Sequence, residues 1–391
     1  MYYTAEQIPC SAVLIFNKKR SIMKIQHNVK EIASHFEILG DFLWYERYGS
    51  GHINDTFLVV YNQAGYQVRY IMQRINTDIF KKPDELMENI SRVLEHSKKR
   101  LTGKKDATRR ALTLVNTTDG KYSYTDENKC VWRVYLFIER ARTYDILESP
   151  DFAYQAAKAF GAFQQLLADL PGERLHEVIP NFHNTPSRYA DFERVLALAP
   201  SDRIEAAQKE IEFAKNHKAM APVFVDLLAN GGLPERVTHN DTKINNVMLD
   251  DESGEGICVI DLDTVMPGVS LYDFGDLMRT STSPAAEDEK DLTKVYARME
   301  MFEALAKGFL EGAGGCLTDK EIELMPFSGE LITFEIGLRF LTDYLDGDLY
   351  FKTAYSDHNL VRTRTQLKLV WDMENKWEEM QRIVAEETAK V

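Results

Sequence analysis

Five polar residues in one short region carry the clearest chemistry in this chain. His239, Asp241 and Asn246 stand in a polar stretch within residues 237–249, and Asp261 and Asp263 end the apolar run 256–260. The order reads as a loop, a short apolar strand, a turn and a second strand ending in two carboxylates. An acid, an amide five residues later and a second acid twenty residues after the first can meet at one end of a hairpin. Such a group suits a carboxylate that orients a nucleophilic hydroxyl beside a divalent-cation site.

The alternative is a polar hairpin with capping Asp and Asn residues. It requires His-x-Asp, the plus-five Asn and the strand-end Asp to coincide without purpose. Protein kinases use the same Asp-to-Asn spacing, the Asp receiving the substrate hydroxyl proton and the Asn holding magnesium. Asp261 then falls where a strand-end aspartate chelates the metal. Carboxylates a few ångströms apart repel, and bound Mg²⁺ is the economical remedy. A second candidate for the metal aspartate is Asp273, in Tyr272-Asp273-Phe274-Gly275. Its spacing is wrong, so it reads as a helix cap or a brace for the loop.

These residues need elements to hold them. Strand patterns at 43–48, 56–60 and 67–74 frame a glycine-rich turn, Gly49-Ser50-Gly51. That turn is either a surface hairpin or a tip whose bare N–H groups meet phosphate oxygens. A cation on the third strand would reach the same phosphates, but Gln73 and Arg74 alternate, so only one of them faces inward. Glu85 and Glu88 follow on a helix that opens with Pro83. Strands at 111–115, 121–125 and 131–138 complete a small sheet, and residues 23–39 read as a preceding helix. Beyond residue 148 the chain reads as helices at 151–169, 187–198, 203–229, 286–312, 318–346 and 357–388. The expected fold is α+β: a small β-rich N-terminal lobe at 23–140 and a larger helical C-terminal lobe at 141–391. In residues 1–22 the basic residues follow the apolar patch, the wrong order for a secretory signal, so this stretch reads as a disordered leader, with Met23 as an alternative start.

Composition removes several classes. A chain of 391 residues with a net charge of −14 is not built to bind nucleic acid or an anionic membrane by bulk electrostatics. No apolar run is long enough for a membrane helix. Four scattered cysteines without a CxxC pair read as free thiols of a reducing compartment, the cytoplasm.

The loop 239–246 and the stretch 260–264 resemble the catalytic and metal loops of the aminoglycoside-phosphotransferase and choline-kinase-like superfamily, which has a protein-kinase-like two-lobed fold. Residues 51–54, 237–246, 260–268, 327–329 and 358–366 resemble one branch, the bacterial N-acetylhexosamine 1-kinases. The likeness runs over residues 28–388. It implies ATP- and Mg²⁺-dependent phosphorylation of the anomeric hydroxyl of N-acetylglucosamine or N-acetylgalactosamine, with Asp241 catalytic and Asn246 and Asp261 as metal ligands. It further implies nucleotide contacts from Gly49, Ser50, Gly51, Gln73, Leu136 and Ile138, and sugar contacts from His52, Asp241, Arg339 and Tyr350. One departure stands out: Gln73 occupies a position where many members carry Lys or Arg. Spacing alone offers another partner for Arg339, the acid Asp343 four residues on. A kinase of the same fold acting on another alcohol, and a nucleotide-binding protein without catalysis, are the rival readings.

Overall fold

The computed structural model describes residues 27–49, 53–144 and 149–391. Ser50, Gly51, His52 and the leader at 1–22 lie outside the described residues.

The N-terminal part is a five-stranded antiparallel sheet in the order β1-β2-β3-β5-β4, with β1 Asp41–Arg47, β2 Asp55–Gln63, β3 Tyr66–Ile75, β4 Tyr124–Thr125 and β5 Val131–Leu136. Alternation sets its two faces. Phe57, Val59, Met72, Trp132 and Val134 bury one side against Val29, Ile32 and Phe36. Only Val29–Ala33 of the helix expected at 23–39 is helical among the described residues. The segment 111–115 contributes only an isolated bridge, Leu114 to Tyr135.

The Pro83–Leu101 helix starts at its proline and packs Leu86, Ile90 and Val93 under the sheet. Its buried Asn89 donates to the carbonyls of Val265 and His176, at 3.0 and 2.8 Å. It is thereby pinned to the chain just past Asp263. Glu85 and Glu88 point elsewhere, towards Lys82 and His176.

The C-terminal part is helical. Its centre is the Ser270–Thr282 helix, buried on nearly every side and not expected from the sequence. It touches the Pro150–Leu167, Met299–Ala313 and Met325–Leu345 helices. Gly275 permits the close approach to the Met325–Leu345 helix, since a Cβ there would lie 2.4 Å from the Ser328 carbonyl oxygen. Several helices are shorter than their apolar patterns suggest. The 203–229 stretch is three helices broken near Ala207 and His217, and 286–298 holds only a 3₁₀ turn. The last stretch breaks at Lys376, and 318–346 breaks at Leu324, just ahead of Pro326.

Into this body the chain inserts β7 Arg236–Thr238, β8 Val247–Asp250, β9 Gly256–Val259 and β10 Met266–Gly268, with β6 Ala141–Arg142 beside β8. The β8–β9 hairpin pairs Val247 with Val259, and β7 pairs antiparallel with β10. The expected loop–strand–turn–strand order is what forms. A small sheet with a larger helical part is the α+β arrangement expected. No helix among the described residues is long and apolar enough to cross a membrane.

Candidate active site

The loop between β7 and β8 is held from behind. Asp273, in the first turn of the central helix, accepts the N–H of His239 at 3.0 Å and of Asn240 at 2.7 Å, and the side-chain amide of Gln164. The Thr242 hydroxyl donates to the Asp273 carbonyl at 2.6 Å. Asp273 is fully buried and braces the loop. His239 is a spacer: Nδ1 accepts the Asp241 N–H and Nε2 donates to the Ile260 carbonyl at 2.8 Å, so its proton sits on Nε2. That single ring ties the Asp241 backbone to the residue before Asp261. Asn240 and Asp261 both have left-handed backbones, φ 66° and 57°. Asn and Asp tolerate that region better than other side chains, and it is enriched at functional sites.

Asp241, Asn246 and Asp261 converge as the spacing implied. The Asn246 amide donates to the Asp241 carbonyl at 2.8 Å and lies 3.3 Å from its carboxylate. Lys243, two residues on, pairs with the other Asp241 oxygen at 2.9 Å. Burial disfavours the Lys243 ammonium, but the Asp241 and Asp276 carboxylates outweigh it and hold its pKa above the ordinary value. Asp261 opens to solvent in a recess crowded by protein. Burial first, then the charges of Asp263 and Asp241, raise its pKa to about 6, against the opposing pull of Arg133 and His239. Hard oxygen donors carrying excess negative charge are the set that suits Mg²⁺. Asp261 and Asn246 are the residues here that could hold it.

Gln73 does not present itself to a nucleotide. Its Oε1 accepts Nε and Nη2 of Arg133, at 3.0 and 2.8 Å, and its amide reaches the Thr56 hydroxyl at 3.2 Å. Arg74 turns to the other face and pairs with Asp55. The inward cation on this sheet is Arg133, directly across the β3–β5 pairing from Gln73. It is 1% exposed and its Nη1 lies 2.5 Å from Asp263 Oδ1. Burial disfavours its charge, yet Asp263, Tyr135 and Asp261 together hold its pKa above the ordinary range. The other Asp263 oxygen accepts the Asn54 amide at 2.6 Å, and Asn54 Oδ1 accepts the Asn76 N–H. Asp263 thus joins the tip of the β1–β2 hairpin and the middle of the sheet to the segment that carries Asp261.

The Leu136 and Phe137 N–H groups are occupied by the carbonyls of Thr113 and Arg69. Ile138 is buried with Ile257 and Cys258, beside Met248 and Ile260. Gly49 has φ 78° and open space where a Cβ would be.

On the far side of the loop stands a pair invisible in the sequence. His183 Nδ1 lies 2.9 Å from Glu335, and its Nε2 lies 3.2 Å from the Asn240 carbonyl. Both ring nitrogens face acceptors, so both carry protons. Burial alone would lower the His183 pKa, but Glu335 outweighs it and holds it up. One helical turn past Glu335 is Arg339, half-buried, with its guanidinium 5.6 Å from the Phe351 ring centre. Asp343 does not pair with it. Asp343 accepts the N–H groups of Tyr350 and Phe351 and the amide of Asn359. It fixes the turn that carries Tyr350, which is 74% exposed.

Sequence reasoning missed Lys243, Arg133, His183 and Glu335. Lys243 lay in plain view two residues past Asp241, and the β3–β5 register marks Arg133. His183 and Glu335 carried no local signal. Away from this site, His27, Asp126 and Cys130 offer ligand atoms within 4.8 Å of one another. Asp126 there is spent on the Trp132 indole and the N–H groups of Asn128 and Cys130.

Among solved structures, the fold is similar to that of an aminoglycoside phosphotransferase from Alicyclobacillus acidocaldarius. The two are 12% identical with a TM-score of 0.57, over 93% of this chain and 96% of that one. A microcompartment-associated aminopropanol kinase matches with a TM-score of 0.56 and 12% identity, over 90% of this chain and 98% of that one. A choline kinase from Cryptosporidium parvum matches with a TM-score of 0.52 and 12% identity, over 90% and 96%. At these identities they share the fold. Residues 44–306, about two thirds of the chain, match the model of the phosphotransferase enzyme family (APH), and the chain belongs to that family.

Proposed function

We propose that this protein transfers the γ-phosphoryl group of ATP to the anomeric hydroxyl of an N-acetylhexosamine, giving the sugar 1-phosphate and ADP. The observation that best supports a sugar acceptor is Arg339, which has no hydrogen bond or ion pair among the described residues while its natural partner Asp343 is committed elsewhere. An unpaired guanidinium beside an exposed tyrosine, linked through Glu335 and His183 to the residue before Asp241, fits a wall that binds hydroxyl and carbonyl oxygens.

In this reading the nucleotide lies between a lobe at 23–140 and a lobe at 141–391. Asp241 hydrogen-bonds the acceptor hydroxyl, aligns it for in-line attack and takes its proton late. Asn246 fixes the Asp241 carboxylate, and Lys243 tempers the charge on it. When bound, Mg²⁺ neutralises charge building on the phosphoryl oxygens. Positioning and charge neutralisation supply most of the acceleration.

Asp261→Ala should abolish Mg²⁺-dependent ATP binding while leaving metal-free binding near the wild-type level. Calorimetry with and without Mg²⁺ reads this directly, and an unchanged metal dependence would count against Asp261. Arg339→Ala should raise the acceptor KM about 10- to 100-fold, the worth of one charged hydrogen bond, and leave the ATP KM within about threefold. Equal effects on both constants would remove Arg339 from the acceptor wall.

The similar structures named for aminoglycosides, aminopropanol and choline suggest a second reading, a cationic alcohol as acceptor. An ADP-release panel of N-acetylhexosamines, aminoglycosides and choline separates the two.

A further inference from the structure

A second arginine stands on the helix packed against that of Arg339, and among the described residues neither guanidinium makes a hydrogen bond or ion pair to a carboxylate. Arg188, on the Thr185–Leu196 helix, donates one Nη2 bond to the Phe182 carbonyl at 3.2 Å, and its buried Nε has no partner. Burial lowers its pKa, and the Arg339 charge is the next strongest influence, lowering it again; Glu335 and Tyr350 follow, raising it. The two helices meet here: Thr185, three residues before Arg188, donates its hydroxyl to Glu335, four residues before Arg339, so both arginines extend from the same helix–helix junction.

Among the described residues, the acids near the pair are engaged elsewhere. Glu335 is fully buried and divides its oxygens between His183 at 2.9 Å and the Thr185 hydroxyl at 2.6 Å. Asp191 pairs with Arg194, and Asp343 serves backbone N–H groups and Asn359. Two guanidiniums in a half-buried wall, one with a buried donor unused, cost free energy unless the ligand supplies oxygen.

Guanidinium groups only donate hydrogen bonds. The group they fit is one that only accepts and carries negative charge or polarity, a carbonyl or a carboxylate. A hydroxyl brings a proton that finds no free carboxylate here, and an ammonium is repelled by both cations. We propose that Arg188 and Arg339 together form the subsite that selects the acceptor's N-acyl group, holding its carbonyl oxygen between two guanidiniums and rejecting a free amine at that position. This rests on the N-acetylhexosamine reading and names the atoms that make it selective. A carboxylate in the place of the acetamido group has the same chemistry.

The test compares wild type, Arg188→Ala and Arg188→Lys for ADP release with three acceptors: an N-acetylhexosamine, the parent hexosamine and the parent hexose. Wild type should favour the N-acetyl compound. Arg188→Ala should lower kcat/KM for that compound about 10- to 100-fold, mostly through KM, while the value for the hexose moves by less than about threefold. Arg188→Lys, which keeps one donor and the charge, should recover part of the preference. ATP binding measured by calorimetry verifies that each variant is folded. An unchanged ratio between N-acetyl compound and hexose in folded Arg188→Ala overturns the subsite.

If wild type binds ATP and turns over none of the three sugars, the N-acetylhexosamine reading fails by itself. A panel of carboxylate-bearing alcohols then decides the subsite. Turnover that Arg188→Ala selectively loses upholds it, and turnover indifferent to Arg188, or no turnover of any such alcohol, overturns it.

Discussion

Asp241→Asn should lower kcat about 10²- to 10⁴-fold, the usual worth of a positioned proton acceptor, with the acceptor KM within about threefold of wild type. The substitution keeps the shape of the side chain and its place between Asn246 and Lys243. In the proposed mechanism it removes the charge that accepts the proton, and it adds an amide that can donate to the acceptor oxygen instead. The loop has little freedom to compensate, since Asp273 holds two of its N–H groups and His239 anchors the backbone of Asp241 itself. The loss should therefore appear in kcat and not in binding. Steady-state kinetics with the acceptor varied at saturating ATP would show it. Near-normal turnover would remove Asp241 from the chemistry.

Arg133→Met should cost about 3–5 kcal/mol of stability, because it leaves the Asp263 carboxylate buried without its counter-charge. Asp263 is 3% exposed, and Asn54 is then its remaining side-chain partner. Gln73 also loses both of its arginine bonds. The effect should extend to function if Asp261 holds the metal as proposed, since Asp263 lies two residues from Asp261 and ties that segment to the sheet. Weaker Mg²⁺-dependent ATP binding should accompany the lower melting temperature. Adding Asp263→Asn should recover part of the lost stability, because a neutral amide tolerates burial better than an unpaired carboxylate. A stability loss below about 1 kcal/mol in Arg133→Met would mean that the pair is better solvated than its burial implies.

The parts legible in the sequence were those with local causes. Alternation marked β1 to β3, and Pro83 with its apolar spacing marked the helix that follows. The grouping of Asp241, Asn246 and Asp261 was readable because one short hairpin and one loop bring them together. Asp273 could be set aside as a metal ligand on spacing, and its bonds to the loop N–H groups give it a bracing role. The failures have physical reasons too. Apolar spacing at 203–229 continues through helix ends, so periodicity alone fused three helices into one. The central Ser270–Thr282 helix is buried nearly all round, and its polar residues Asp273, Asp276 and Arg279 bond protein groups instead of facing water, so it lacks the apolar-in, charged-out pattern of a surface helix. The inward-facing Arg133 lies one strand away from the Gln73–Arg74 position where a cation was expected, which depends on sheet register and not on chain order. His183 and Glu335 meet across 152 residues, and only tertiary packing joins them.

The central claim is tested most directly by identifying the phosphorylated oxygen. The purified protein is incubated with ATP, Mg²⁺ and N-acetylglucosamine or N-acetylgalactosamine, and the product is followed by phosphorus NMR. The account predicts one new phosphate monoester signal, coupled to the anomeric proton and growing in step with ADP. Phosphate on any other hydroxyl, or ADP formed with no sugar phosphate, would contradict it.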